Sequence, residues 1–267
     1  MKCVFTITDA NKEYLELAKT LIMSAKLNSD TDFLCIYDGL ENEFTSWLRK
    51  QNVPYYKWRV PFFNEIKEKY TGKRSFDFCA GTYLRIEIPN VFDFYGIKED
   101  YILFIDVDTL ILDTIDLTDI KPKCFAGPPD WNISIWSPVS TGVMLINVKN
   151  LKDEYKYLVE HLINNNFDFD YAGVGPCSQG AWNTYFKDRW EKLDPDYDWK
   201  PWWGFNPKAK IVHFSGPKPN EIEIILSGKR NKRDESELEQ IHRSVIERDK
   251  KSYTKYLKIW QKFYKLI

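Results

Sequence analysis

No stretch of this chain approaches the ~20 consecutive apolar residues that a membrane-spanning helix needs. Its first residues, MKCVFTITDA, turn polar too soon for a secretory leader. Nor does charge of either sign prevail: 38 Lys and Arg face 39 Asp and Glu across 267 residues, a formal net charge of −1. That balance removes any global electrostatic reason to bind nucleic acid, while local basic patches stay open. Cys-x-x-Cys is missing, and the five cysteines are odd in number and far apart, which speaks against a zinc site or a redox dithiol. Cys3, Cys35 and Cys124 sit in apolar runs, where a free thiol acts as a small buried hydrophobe. Together these features point to a soluble protein of a reducing, cytoplasmic compartment. Internal repeats, low-complexity tracts and Gly/Ser linkers are missing too, so the chain reads as one domain with a C-terminal extension.

What the chain has in quantity is aromatic rings, 16% of residues with ten Trp and sixteen Tyr. Rings floor sugar and nucleotide sites, but more commonly they fill cores. The first sixty residues alternate between two periods. CVFTIT (3–8), DFLCIY (32–37) and PYYKWRV (54–60) are strand-like. Between them, Leu15, Ala18, Leu21, Ile22 and Ala25 recur at helical spacing, and residues 41–51 form an amphipathic helix pattern. A β-α-β-α-β start predicts a parallel sheet with helices on its faces. Further strands are expected at 101–105 (YILFI), 124–127, 142–148 and 210–214, and helices at 77–86, 151–165 and 179–186.

In open parallel sheets, ligands bind beyond the carboxyl ends of the strands. Thr8 and Asp9, Asp106 and Asp108, Asp130 and His213 stand at such ends. Asp106 and Asp108, spaced i and i+2, point to one side of an extended chain and suit a hard cation such as Mn²⁺ or Mg²⁺. Asp-x-Asp alone is a cheap pattern, and it recurs at 168/170, 194/196 and 196/198. Only the 106/108 pair follows a buried-strand run; the others lie in polar, aromatic-rich loops and read as turn or capping residues. His213 is either a ligand or a hydrogen-bonded structural histidine, and His161 and His242 read as solvated. After His213, Ser215-Gly216-Pro217-Lys218-Pro219 is either a stiff phosphate-facing loop with a point charge or a turn with a surface lysine.

The chain resembles the family eight glycosyltransferases, the group that includes glycogenin and bacterial lipooligosaccharide galactosyltransferases. The likeness runs in order through VFTITDANKEYL (4–15), GTYLRIEIPNVF (81–92), YILFIDVDTLIL (101–112), AGPPD (126–130), STGVMLINVKNLK (140–152), SQGAWN (178–183) and IVHFSGPKP (211–219). It implies an α/β fold of the glycosyltransferase A type, Rossmann-like, with a mainly parallel central sheet flanked by helices. A nucleotide-sugar-binding catalytic domain over 1–220 would be followed by a helical C-terminal extension over 221–267. The activity implied is metal-dependent transfer of a hexose from a UDP-sugar, UDP-glucose or UDP-galactose, with retention at the anomeric carbon. Mn²⁺ is the expected cofactor, with Mg²⁺ as the alternative.

By position, the resemblance assigns Asp106, Asp108 and His213 to the metal, and Thr8, Asp9, Arg85 and the backbone of Val107 to the donor. Gly216 and Lys218 would hold the diphosphate, Asp130 the sugar hydroxyls, and Gln179 would lie beneath the anomeric carbon. An amide is a poor nucleophile, which favours front-side attack over a covalent double displacement. The chain departs from the family pattern at Ser178, where an acidic residue is common, at Ser140, where Asn is common, and in a shortened loop ending at Asn220. These departures put donor-sugar identity and the level of activity in question, so a family member that binds UDP-sugar or glycan without turnover is the alternative reading. A nucleotidyltransferase would want a Gly-rich basic loop after the first strand, and TDANKEY offers none. The expected acceptor is a glycan, glycolipid or protein, and a homodimer stays open.

At the C-terminus, Tyr253, Tyr256, Leu257, Trp260, Phe263, Tyr264 and Ile267 recur at helical spacing among six lysines. The stripe either packs inside the protein, leaving the lysines in water, or residues 250–267 make a peripheral membrane contact.

Overall fold

The computed structural model describes residues 1–70, 76–169, 177–229 and 235–267. They divide into two compact units: Met1–Leu15, Thr31–Val107 and Asp116–Asp194 form one, and Glu16–Asp30, Asp108–Ile115 and Pro195–Ile267 the other.

The first unit is built on a seven-stranded sheet. Its strands are β1 (Lys2–Thr8), β2 (Asp32–Asp38), β3 (Tyr55–Lys57), β4 (Tyr101–Ile105), β6 (Phe125–Gly127), β7 (Val143–Asn147) and β8 (Glu191–Lys192), in the order β3-β2-β1-β4-β7-β6-β8. β1 runs parallel to β2 and β4, and β2 to β3, as the alternating pattern predicts. β7 departs from it, lying antiparallel to both β4 and β6. The middle strands are apolar on consecutive residues because both faces are covered: Val4 and Phe5 are buried, and so are Ile102 to Ile105.

Helices α3 (Phe63–Tyr70), α4 (Phe76–Tyr83), α5 (Ile88–Tyr95), α6 (Val148–Asn164) and α7 (Cys177–Tyr185) share one hydrophobic core with strands β1, β2, β4, β6 and β7. Trp182 and Phe186 pack on Phe125 there, with ring centroids 5.1 and 5.5 Å away. Each such ring contributes about 1.5–3 kcal/mol by leaving water. Local chemistry fixes the helix ends. α2 (Glu43–Lys50) starts at a capping box between Asn42 and Thr45. α5 begins with Pro89 in its first turn and stops at Gly96, whose φ of 69° suits a residue without Cβ. All five cysteines are free and buried.

In the second unit, β5 (Thr109–Ile111) pairs antiparallel with β9 (Ile211–His213), Thr109 opposite His213. From α1 (Lys12–Asn28), Ser24 accepts the Ile111 amide at 3.0 Å and Asn28 donates to the Ile111 carbonyl at 3.0 Å. Three helices follow: α8 (Pro219–Leu226), α9 (Glu237–Arg248), capped by Ser236 and Glu239, and α10 (Lys250–Tyr264), capped by Asp249. On α10, Tyr253, Tyr256, Leu257, Trp260 and Phe263 are buried, whereas Lys250, Lys251, Lys255, Lys258, Lys262 and Lys265 are exposed. The aromatic stripe is thus largely spent on packing, as when Tyr256 accepts the Asn206 amide at 2.9 Å. No helix among the described residues is long and apolar enough to cross a membrane.

Candidate active site

At the carboxyl ends of β1 and β2, Thr8 pairs in register with Asp38, and the exposed loop beyond β1 holds Asp9. The Asp9 carboxylate accepts the Leu40 amide at 2.9 Å. Gly39 makes that approach feasible, since a Cβ there would meet Asp9 Cγ at 2.6 Å and Tyr37 Cζ at 2.7 Å. Arg59, at the end of the neighbouring strand, forks onto both oxygens of Asp38 with Nε at 3.0 Å.

Asp106 follows β4 directly, its amide bonded to the Gly142 carbonyl at 2.7 Å. Its carboxylate accepts from Arg85 Nη2 at 2.8 Å. Arg85 is 3% exposed and also donates to the Thr141 carbonyl at 2.6 Å and its hydroxyl at 3.0 Å, while its guanidinium lies 4.5 Å above the Phe104 ring. A buried cation so fully engaged fixes the carboxylate it holds. In this structure Arg85 orients Asp106, a partnership that sequence order alone did not reveal. In the same unit, Gln179 Nε2 donates to Asp130 Oδ2 at 2.9 Å. The two side chains that the family likeness assigns to the sugar are therefore brought together. Ser140 and Ser178 are both buried.

One residue beyond Asp106 comes Val107, its side chain buried, and then Asp108, which belongs to the second unit. Asp108 is 7% exposed. His213 Nε2 lies 3.2 Å from its Oδ1, and Lys218 Nζ 2.5 Å from its Oδ2. The backbone secures this arrangement, because the Phe214 amide donates to the Asp108 carbonyl at 2.9 Å and Lys218 also donates to the Phe214 carbonyl at 2.8 Å. A Cβ at Gly216 would stand 3.3 Å from the Trp202 ring, which would have to give by a few tenths of an ångström.

On its other side, His213 Nδ1 lies 2.7 Å from Asp198 Oδ1. Asp198 is wholly buried and ion-paired with the equally buried Lys200. Burial opposes charge on Asp108, Asp198 and His213, and the neighbours overcome it. Lys218 and His213 hold the Asp108 carboxyl well below the usual range, and Lys200 and His213 do the same for Asp198. Against its own burial, Asp108 and Asp198 push His213 up to about 9.

Asp198 corrects the expectation that the aspartates of 194–198 are only turn and capping residues. Asp196 does serve the loop, taking the Asn206 amide at 2.6 Å. Asp170 lies outside the described residues. The two remaining histidines are also not simply solvated. His161 is half-buried between Phe169 and Tyr185, with Nε2 2.9 Å from Thr184 Oγ1 and its pKa lowered by burial. His242 lies 2.8 Å from Glu221. The signal that could have singled out Asp198 is its position in DPDYDWKP beside Lys200, two opposite charges in a loop crowded with rings.

A search of curated proteins finds glycosyltransferase GlyB of Streptococcus pneumoniae serotype 4, 22% identical, covering 81% of this chain and 57% of GlyB. Among solved structures, glycosyltransferase GlyE of Streptococcus pneumoniae TIGR4 superposes with a TM-score of 0.59 at 17% identity over 98% of this chain and 64% of GlyE. The chain thus spans under two thirds of the length of both pneumococcal relatives. Galactosyltransferase LgtC, solved with donor and acceptor sugar analogs, gives a TM-score of 0.59 at 17% identity over 82% of this chain and 89% of LgtC. These likenesses identify the fold as that of the glycosyltransferase A type. Residues 5–219 match the model for Glycosyl transferase family 8, and the chain belongs to that family.

Proposed function

We propose that this chain is a metal-dependent, retaining hexosyltransferase that uses a UDP-hexose, UDP-glucose or UDP-galactose, and passes the sugar to a hydroxyl of a glycan, glycolipid or protein. The observation that carries the reading is the buried Asp108–His213 pair with Lys218 on the other Asp108 oxygen, where Asp108 closes the sequence Asp106-Val107-Asp108. In this proposal the carboxylates of Asp106 and Asp108 and the imidazole of His213 would supply hard donors, which suit Mn²⁺ or Mg²⁺ better than a thiophilic metal. Both carboxylates are held ready by cations, Asp106 by Arg85 and Asp108 by Lys218. When bound, such an ion supplies Lewis-acid neutralisation of the diphosphate.

The chain's own residues account for the rest of the proposal. Thr8, Asp9 and the backbone at Val107 bind the uridine and ribose end. Gly216 lets the backbone approach the diphosphate, and Lys218 places a positive charge where negative charge grows on the leaving group. Asp130, presented by its bond to Gln179, accepts from sugar hydroxyls. The acceptor oxygen bonds to the anomeric carbon on the face from which the diphosphate departs, and a phosphate oxygen takes the hydroxyl proton. Gln179 stands beneath that carbon as a dipole, since an amide neither ionises nor leaves easily as a covalent intermediate. In this proposal residues 1–220 are the catalytic domain and 221–267 a helical extension.

The test is UDP release from a panel of UDP-sugars, with Mn²⁺ and with a chelator. Metal-dependent release from one donor names the sugar. A chain that binds UDP in a Mn²⁺-dependent way yet turns over no donor with any acceptor offered would instead match the binding-only reading.

A further inference from the structure

The buried pair behind His213 has no role in the chemistry described so far. Asp198 and Lys200 are both 0% exposed, and burying two charges is costly unless each is well partnered. Lys200 satisfies one side of Asp198, donating both to its carboxylate and to its carbonyl oxygen, the latter at 3.1 Å, and it lies 5.4 Å from the Trp203 ring centre. The other carboxylate oxygen of Asp198 faces His213 Nδ1 at 2.7 Å. The backbone fixes that distance. Trp199 forms a parallel bridge with Val212, its amide donating to the Ile211 carbonyl and its carbonyl accepting from the His213 amide, both at 2.9 Å. Asp198 is thereby carried into register with the end of β9 by the sheet itself.

A carboxylate can only accept, so the ring nitrogen facing it must carry the proton. Nε2 faces the Asp108 carboxylate in the same way at 3.2 Å, but a cation held by Asp108 would take that side of the ring, and the neutral imidazole then keeps its proton on Nδ1 and its lone pair on Nε2. Resting on the metal reading above, we infer that Asp198, held in place by Lys200, is the positioning residue that selects the tautomer of His213 and aims Nε2 at the cation. Lys200 neutralises Asp198 without competing for the imidazole.

The test uses the full-length chain and Mn²⁺ alone, with no nucleotide, free ion being counted by electron paramagnetic resonance. Removing both buried charges together, in D198N/K200M, avoids stranding either one. The expected result is a melting temperature within a few degrees of the parent and Mn²⁺ affinity lower by about ten- to a hundredfold. Asp196→Asn, a change in the same loop that touches Asn206 instead, should leave Mn²⁺ affinity unaltered. Unchanged affinity in a folded D198N/K200M protein overturns the inference and leaves the metal site standing. A parent chain that binds no Mn²⁺ overturns both. A second measurement needs no variant: in ¹⁵N-histidine-labelled protein loaded with diamagnetic Zn²⁺, His213 should show a protonated Nδ1 and a ligated Nε2. Ligation through Nδ1 refutes the assignment even if the double variant fails to fold.

Discussion

Replacing Lys218 with Met should change two affinities in opposite directions. The Lys218 ammonium sits on Asp108 Oδ2 with a side chain only 19% exposed. At about 4 Å and an effective dielectric near 20, a unit charge pair is worth roughly 4 kcal/mol before desolvation is subtracted. An incoming cation must displace that ammonium from Asp108. Lys218→Met removes the competitor, so Mn²⁺ alone should bind more tightly. The same ammonium is the proposed partner of the diphosphate, and a hydrogen bond to a charged group contributes about 1.5–3 kcal/mol net. Because every 1.4 kcal/mol is a factor of ten, UDP affinity in the presence of saturating Mn²⁺ should fall roughly ten- to a hundredfold. Uridine, which has no phosphate, should be affected less than about twofold. Calorimetric titrations of Mn²⁺, UDP and uridine into parent and variant give all three numbers. Equal losses for UDP and uridine, or weaker Mn²⁺ binding in the variant, would refute the placement of Lys218 between carboxylate and phosphate.

Four further outcomes are expected. Asp106→Asn takes the carboxylate charge away from the Arg85 guanidinium, 3% exposed, at a cost of up to about 3–5 kcal/mol; thermal melting should fall by up to roughly 10 °C, and a drop under about 2 °C would mean that Arg85 does not depend on it. His213 is charged at pH 7 because its pKa is raised to about 9, yet a metal ligand must be neutral. Mn²⁺ binding should therefore release about one proton at pH 7 and strengthen up to about pH 9, detected as a heat that depends on the ionisation enthalpy of the buffer; a buffer-independent heat contradicts this. The same raised pKa makes His213 a source of stability in the metal-free protein, full below its unfolded value near 6.5 and lost as pH rises through about 9. Gly39→Ala should push Asp9 aside, since the new Cβ would meet its Cγ at 2.6 Å; uridine binding should weaken while Mn²⁺ binding holds, and intact uridine affinity would remove Asp9 from the donor site.

The strands β1, β2 and β4 were legible because burial on both faces forces consecutive apolar residues, and a run such as YILFI has few other uses. The direction of β7 was not legible. A strand buried on both faces carries the same apolar signature whether parallel or antiparallel, so its reversal beside β4 is decided by the intervening chain path. β5 was hidden for a related reason: TLI continues directly from YILFIDVD, and only pairing with β9, about a hundred residues away, makes it a separate strand. At the site, Asp106, Asp108 and His213 could be read from their positions at strand ends. Asp198 could not, because DPDYDWKP has the local chemistry of a turn, and its role depends on Trp199 pairing with Val212. Arg85 was legible as a site residue, but its grip on Asp106 comes from the packing of its helical segment beside β4 rather than from any local pattern.

The most direct measurement of the central claim is UDP release from a panel of UDP-sugars by the parent chain and by Asp108→Ala, each with Mn²⁺ and with chelator. The expected result is release from one UDP-hexose that requires both Mn²⁺ and Asp108. Turnover that survives the chelator or the loss of Asp108, or a parent chain that neither releases nor binds UDP with Mn²⁺ present, would contradict it.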